Sequence, residues 1–440
     1  MSISRYLARE GHDVTIIDMK RQRLQVAEDE LDVQTIQGNA CDPAKLEELD
    51  IESIDVMLAV TERDETNLIS CFAAKQMGAR RVVARVRSQF FYHDSVVNFR
   101  SKFEIDLFIS PEVDTAIELL NFVSMPSALS VVSLAQGRVQ LRTIKVAEGS
   151  EFCGRELRDL TIPQGALIAG LRRGEHVQIA RGNTTIQPED RVTVIGLPHV
   201  LDDITHRLSH EKVGGEISSV VVAGAGETGL FLARMLERRG HRVILIEADR
   251  ERAEYVSSQV DKATVLNGDA TEVNFLREEL IGKSDYFIAT TGDDENNIMS
   301  AMLAKELGVR RTACLIERPD YTRIVERMGV DIAISPRFVA ANKVLAMVKR
   351  GRIRSVTLMD DGELEINEYV TLSSSRLVGE MLKDLDMPED TLIGAVVQGG
   401  KVHIPRGDFI IRPGDTVITI ARPEAAEELD DAFASQTRRP

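Results

Sequence analysis

Short apolar runs alternate with amphipathic stretches through much of the chain, most plainly after its midpoint. "SVVVAGAG", "RVILIEAD", "ATVLNGD", "YFIATTG" and "TACLIE" are stretches of six to eight residues built on short apolar runs, and "GLFLARMLERRG" between the first two has helical spacing and ends at Gly240. Continuous β-branched runs separated by helices predict a parallel sheet buried on both faces. Right-handed crossovers then give a doubly wound, Rossmann-like α/β lobe.

The pattern occurs twice. "REGHDVTIIDMKRQR" (Arg9 to Arg23) matches "RRGHRVILIEADRER" (Arg238 to Arg252), and "QGNACD" (Gln37 to Asp42) matches "NGDATE" (Asn267 to Glu272). "AVTERDETNLIS" (Ala59 to Ser70) matches "ATTGDDENNIMS" (Ala289 to Ser300), and "ISPEV" (Ile109 to Val113) matches "ISPRF" (Ile334 to Phe338). A nearly constant offset over that span is a duplication of a whole unit. Each lobe is followed by a second pattern. "LIAGLRRGEHVQIARGNTTIQPEDRVTVIG" (Leu167 to Gly196) resembles "LIGAVVQGGKVHIPRGDFIIRPGDTVITIA" (Leu392 to Ala421), short strands broken by glycine turns. It predicts a small α/β module with an antiparallel sheet. The expected organisation is a lobe over 1–125, a module over 126–210, a second lobe over 217–350, a second module over 351–425 and a polar tail over 426–440. The Gly-containing segment Leu208 to Ser219 is the expected linker between halves.

Candidate chemistry concentrates in the second lobe. Gly224-Ala225-Gly226-Glu227-Thr228-Gly229 follows a strand and opens a helix. The first glycine permits the tight turn, the second lets backbone approach a pyrophosphate, and the third allows close helix–strand packing. Glu247 ends the next strand, where a carboxylate accepts both ribose hydroxyls of an adenosine and repels a 2′-phosphate, favouring NAD or NADH over NADP. Asp269 and Ala270 close the third strand, on the adenine side. Thr290, Thr291 and Gly292 close the fourth, at the switch-point crevice, and Asp294 is the expected N-cap of the helix that follows. In the first lobe Asp18 corresponds to Glu247, Asn39 and Ala40 to Asp269 and Ala270, and Thr61 and Glu62 to Thr291 and Gly292. The register places the counterpart of Gly229 just before Met1, so the first lobe is expected to be N-terminally shortened, without its first strand or a phosphate cradle.

Composition narrows the function. The net charge of −16 disfavours a nucleic-acid binder. No apolar run approaches the roughly 18–20 residues of a membrane span, and "MSISRYLARE" has no apolar core of a secretory signal. Cys41, Cys71, Cys153 and Cys314 lack CxxC spacing and are expected to be buried, reduced thiols. His206 and His210, four apart beside Glu211, lack an evident third ligand, and no metal site is expected. No nucleophile-elbow or zinc motif is present, and the small modules offer no cluster of His, Lys or Tyr. A ligand that carries a signal is therefore favoured over one that undergoes chemistry, with an NAD-dependent oxidoreductase as the alternative.

Two lobes each with the "G-N/D-A" turn and the "T-x-x-D-E-x-N" segment, each followed by a "P-x-D-x-V" module, resemble the tandem RCK (also called KTN) regulatory subunits of Trk-type potassium uptake systems. The resemblance spans residue 1 to about 423. It implies Rossmann-like RCK-N lobes, RCK-C modules and a non-enzymatic cytoplasmic protein peripheral to the inner face of the plasma membrane. It implies a homo-oligomeric, tetrameric ring beneath a potassium-translocating subunit of the TrkH or TrkG type, gated by NAD, NADH or adenine nucleotides such as ATP or ADP. It also implies a dinucleotide site of Gly224 to Thr228, Glu247, Thr291 and Gly292. In the first lobe it implies Asp18, Thr61, Glu62 and Arg85 of "VARVRS"; Leu315 stands where Arg85 would repeat. The helix after "SPRF" is expected either to carry a contact between lobes or to pack within its own.

Overall fold

The computed structural model describes residues 2–9, 11–88, 91, 97–125, 128–210, 218–318, 321–348, 353–359 and 362–433. The chain forms two compact bodies. One comprises Met1–Ala116 with Leu315–Pro319 and Ile334–Val348, the other Ile117–Cys314 with Asp320–Ala333 and Lys349–Pro440.

In the first body, β1 (Thr15–Asp18) pairs in parallel with β2 (Gln34–Gln37). A separate parallel sheet has the order β3 (Met57–Ala59), β4 (Val82–Arg85), β5 (Leu107–Ile109). Val82, Val83 and Ala84 are fully buried because helices cover both faces of β4. Among the described residues no strand lies between β1 and β3. One covering helix comes from the far repeat: Val344 and Met347 of the helix Pro336–Val348 share a core with Val83, Ile109 and Ile3. Lys343 of that helix pairs with the buried Asp114 carboxylate. Of the two expectations for the helix after "SPRF", packing within its own lobe is therefore not the one realised.

The second body holds two small modules and the second lobe. In the first module β6 (Ser130–Leu134), β7 (Val139–Lys145), β8 (Ala166–Arg173), β9 (His176–Ile179) and β10 (Arg191–Gly196) form an antiparallel sheet ordered β6-β7-β10-β8-β9. The lobe's six strands are β11 (Ser219–Ala223), β12 (Arg242–Glu247), β13 (Thr264–Asn267), β14 (Tyr286–Ala289), β15 (Arg311–Leu315) and β16 (Ile332–Ile334), ordered β13-β12-β11-β14-β15-β16. The pairings from β13 to β15 are parallel, and Val220, Val221 and Val222 of the central β11 are fully buried. The strand order reverses at β11, which puts a crevice beyond the carboxyl ends of β11 and β14. Here the covering helix Pro111–Ser124 comes from the first repeat. Phe122 packs edge-on to Tyr286, with the Arg311 guanidinium 4.3 Å from its ring centroid.

The second module repeats the first. β17 (Ile353–Met359), β18 (Leu364–Val370), β19 (Thr391–Gln398), β20 (Lys401–His403) and β21 (Thr416–Ala421) are ordered β17-β18-β21-β19-β20, all antiparallel. The two modules share one core, in which Leu141, Ile179 and Ile195 meet Leu364, Ile366 and Ile418. Gly394 allows the approach: a Cβ there would sit 2.8 Å from Ile195 Cδ1.

The expected boundary at 425 falls inside the helix Pro423–Phe433. That helix runs on because Leu429, Ala432 and Phe433 bury an apolar face among acidic neighbours; 434–440 lie outside the described residues. Of the expected linker, Ser209 ends a helix capped by His210 in the left-handed region, Ser219 begins β11, and 211–217 lie outside the described residues. Only Cys71 and Cys314 are buried, with burial pushing each thiol up to about 12; Cys41 and Cys153 are half-buried, correcting the expectation of four buried thiols.

Candidate functional site

The glycine loop is built by close approach between β11 and β14. Gly224 has φ +100°, and a Cβ on it would lie 2.8 Å from Thr291 N. A Cβ on Gly229 would lie 2.0 Å from Gly224 O and 2.7 Å from Thr290 Oγ1. Both positions are closed to any side chain. Gly226 differs: it is the N-cap of the helix Glu227–Arg238, and nothing lies within 4 Å of where its Cβ would be. Gly292 is open in the same sense. Thr290 Oγ1 lies 2.9 Å from Gly224 O and 3.1 Å from Ala223 O and ties β14 to the loop.

Glu247 closes the back of the loop. Its Oε2 accepts from Ala225 N at 2.9 Å and its Oε1 from Asp249 N at 3.0 Å. A carboxylate offers about four lone-pair sites, so two remain for a ligand's hydroxyls. Arg252, which the sequence reading did not single out, donates to Ala225 O at 3.0 Å and to Glu227 Oε1 at 3.3 Å. The signal was available, since Arg23 occupies the same place in the first repeat. Asn267 Nδ2 donates to Glu247 O and Ala248 O at 2.9 and 3.0 Å, fixing the end of β12. Asp269 accepts from Thr271 N and Thr271 Oγ1 at 2.8 and 2.7 Å, shaping the turn that carries the nearly buried Ala270.

At the switch point, buried Asn297 clasps Thr291. Its Oδ1 accepts from Thr291 N at 2.8 Å and Thr291 Oγ1 at 2.7 Å, while its Nδ2 donates to Thr291 O at 3.0 Å. This residue too was missed as a site residue, although "D-E-x-N" recurs in both halves. The helix N-cap is Asp293, accepting from Asn296 N at 2.8 Å; the expected cap, Asp294, is the first helical residue.

The first lobe keeps part of this arrangement. Asn67 clasps Thr61 with the same three bonds, at 2.8, 2.7 and 3.1 Å, and also reaches Arg85 O at 2.9 Å. Asn39 Oδ1 accepts from Cys41 N at 3.0 Å in the turn that carries Ala40. Arg23 lies 3.6 Å from Asp18 Oδ2 and 3.3 Å from Glu62 Oε1, bringing those two expected site residues together through its guanidinium. Arg85 pairs with Glu112 at 3.0 Å, and both side chains are largely buried. Among the described residues no three His, Cys, Asp or Glu side chains are grouped to hold a metal ion.

Comparison with known proteins gives a family. Residues 1–111 and 220–336 match the TrkA-N domain, and 141–209 and 367–434 match the TrkA-C domain. A Trk system potassium uptake protein TrkA homolog of Archaeoglobus fulgidus is 35% identical over 424 residues, covering 96% of this chain and 95% of that protein. The Trk system potassium uptake protein TrkA of Azorhizobium caulinodans is 32% identical over 441 residues, covering 98% and 95%. Among solved structures, the RCK domain of GsuK has a TM-score of 0.63 at 17% identity, covering 98% of this chain and 92% of that one. The GsuK channel bound to NAD has the same score and identity, covering 98% and 76%. At that identity the likeness is one of fold.

Proposed function

The chain belongs to the TrkA family of potassium uptake proteins, and from that premise we propose that it is a nucleotide-sensing regulatory subunit. It gates a potassium-translocating membrane subunit of the TrkH or TrkG type and takes NAD or NADH, with ATP or ADP as competing ligands. The observation that carries the reading is the loop at Gly224 to Gly229, closed to side chains at both ends and open at Gly226.

An open N-cap at the start of a helix suits an anion, because the first-turn amides lack intrahelical acceptors and the helix dipole favours negative charge there. Gly226, Glu227 and Thr228 would hold the pyrophosphate. Glu247 would hold the adenosine ribose with the lone pairs that Ala225 N and Asp249 N leave free, and its charge would repel a 2′-phosphate. Asp269 and Ala270 would border the adenine, and Thr291 and Gly292 would border the far half of the ligand. In the first lobe Asp18, Asn39, Ala40, Thr61, Glu62 and Arg85 are the corresponding positions. The second lobe, which carries the glycine loop, is taken as the principal site.

A bound nucleotide shifts the protein between arrangements only through its different affinity for each. A coupling of about 1–3 kcal/mol changes the partner's activity roughly 5- to 150-fold. The chain carries this out as a homo-oligomeric, tetrameric ring on the cytoplasmic face of the membrane. Among the described residues no helix is long and apolar enough to cross a membrane, so attachment there is through the partner. The test is calorimetric titration of NADH, NAD and ATP into wild type and Glu247→Ala, followed by potassium flux in vesicles carrying the translocating subunit. Saturable binding without turnover, with flux that follows occupancy, is expected. Cofactor turnover by the isolated protein would establish the oxidoreductase instead.

A further inference from the structure

The phosphate cradle of the second lobe carries an acid beside the place where a phosphate would be held. Glu227 is the first residue of the helix Glu227–Arg238 and directly follows Gly226, the open N-cap. In a helix each Cα–Cβ bond leans toward the N-terminus, so this carboxylate projects beside the first-turn amides and not away from them. An acid in the first turn is favourable for the helix itself, because it meets the positive end of the dipole. For an anionic ligand it is a competitor, drawn to the same amides and repelling whatever else binds there.

Arg252 decides how much of that charge a ligand meets. Asp249 caps the helix Arg250–Ser257 by accepting from Arg252 N at 2.7 Å, which fixes where the arginine side chain starts. Its guanidinium then spans two partners, donating from Nε to Ala225 O at 3.0 Å and from Nη2 to Glu227 Oε1 at 3.3 Å. The Tyr255 ring lies beneath it, with the centroid 5.3 Å from the guanidinium carbon. Ala225 N is held in turn by Glu247 Oε2 at 2.9 Å. Two carboxylates, Glu227 and Glu247, therefore flank the loop with one guanidinium between them. Gly224–Gly229 contains no Lys or Arg of its own. Arg234, further along the helix, is drawn to Gln259 O and Gln259 Oε1, both at 2.8 Å. Loops that cradle a nucleoside triphosphate supply a Lys to its outer phosphates, whereas this loop supplies an acid.

Resting on the nucleotide site proposed above, we propose that Glu227 is a specificity-determining residue that sorts ligands by phosphate charge, taking a dinucleotide and disfavouring a free nucleoside triphosphate. The pyrophosphate of NAD or NADH is esterified at both ends and keeps about two negative charges, whereas the open chain of ATP carries about four, nearly two of them on its terminal phosphate. The additional charges find no cation on the loop and add their repulsion from Glu227, unit by unit, at a distance where a half-exposed carboxylate still acts. Arg252 keeps that repulsion at a level the diester tolerates. Such a repulsive element discriminates without improving any contact to the preferred ligand. Glu247 does the same for a phosphate on the ribose, and Glu227 for one at the end of the chain.

The full chain is titrated calorimetrically with NADH, ADP and ATP in a chelator, as wild type, Glu227→Gln and Glu227→Lys. The Glu227 side chain is 54% exposed, so neither variant disturbs the core, and Tm confirms that each is folded. Glu227→Gln is expected to strengthen ATP binding about tenfold and NADH binding about twofold, moving the ratio of the two affinities about fivefold, with ADP between them. Glu227→Lys should move the ratio in the same direction by about fivefold more. Mg2+, which neutralises part of the triphosphate, should narrow the wild-type difference and affect the variants less. At about 0.5 M salt the shift should fall below about twofold, because the charges are screened. The assignment is overturned if wild type binds NADH and ATP but both variants leave their ratio where it was, or if the shift persists at high salt. Wild type that binds none of the three would remove the nucleotide site itself, and the role of Glu227 with it.

Discussion

The two large lobes carry the same sequence pattern, yet β11 stands at the centre of one sheet and, among the described residues, no strand takes its place in the other. The second lobe is a continuous six-stranded sheet; the first is divided into β1-β2 and β3-β4-β5. What survives the difference is instructive. The Thr61–Asn67 clasp matches the Thr291–Asn297 clasp bond for bond. It joins residues six apart at a helix N-terminus, so local sequence suffices to build it. The cradle is not local in this sense: in the second lobe it is made by β11, β12 and β14 side by side. Arg23 pairs with Asp18 and Glu62, whereas Arg252 holds Ala225 O. The same arginine holds the glycine loop in one lobe and cross-links two candidate site residues in the other.

The sharpest way to break the comparison is to remove the close approach that makes the cradle. Gly229→Ala places a Cβ 2.0 Å from a backbone oxygen that has no freedom to retreat. A loss of about 3 kcal/mol is expected, read as a fall in the denaturation midpoint of the second lobe together with loss of NADH binding. Unchanged stability would mean that the packing of β11 against β14 is not what holds the loop.

Gly226→Asp separates binding from folding. Its Cβ enters open space, so Tm should hold, while a carboxylate against the pyrophosphate costs about 3 kcal/mol, or roughly a hundredfold in affinity. Binding that persists would place the ligand elsewhere. A paired substitution tests the lobes against each other. Glu247→Ala removes two charged hydrogen bonds to a ribose and should weaken NADH binding about ten- to a hundredfold. Asp18→Ala in the first lobe should leave the calorimetric curve where it was. Equal losses would show that both lobes bind.

Much of this was legible because it is local. The alternation of apolar runs with helical stretches gives the strands, and the duplication gives the lobes and modules. Gly224 and Gly229 have the turn and close-packing roles expected of them, and Gly226 leaves open space where a ligand's approach was expected. The cap at Asp293 was misplaced by one residue because two adjacent acids fit the pattern equally, and only backbone geometry separates them. The helix Pro423–Phe433 was hidden by its acids, since Leu429, Ala432 and Phe433 are few in number but fall on one face. The packing of the helix Pro336–Val348 was left open between two alternatives, and that of Pro111–Ser124 was beyond reach, for another reason. Periodicity says which face of a helix is buried and not which sheet covers it. The shared core of the modules is hidden likewise, since it joins Leu141 to Ile418 across most of the chain.

The smallest expected effect concerns the turn that leads into β12. His241 Nδ1 accepts from Ser218 N at 3.2 Å, a bond that only the unprotonated ring makes, and it fixes the start of β11. Burial, and then the nearby Arg239 charge, lowers its pKa from the usual histidine value. A depressed folded value means that the unfolded chain takes up the proton first as pH falls. The contribution of His241 is therefore fully present above its unfolded pKa of about 6.5 and is lost as pH drops from there through the folded value. His241→Gln should flatten that part of the stability profile of the second lobe while leaving pH 8 little changed. A proton NMR titration of His241 with a midpoint at or above the ordinary value would remove the basis for this, and with it the claim that the β11–β12 junction is held by a neutral imidazole.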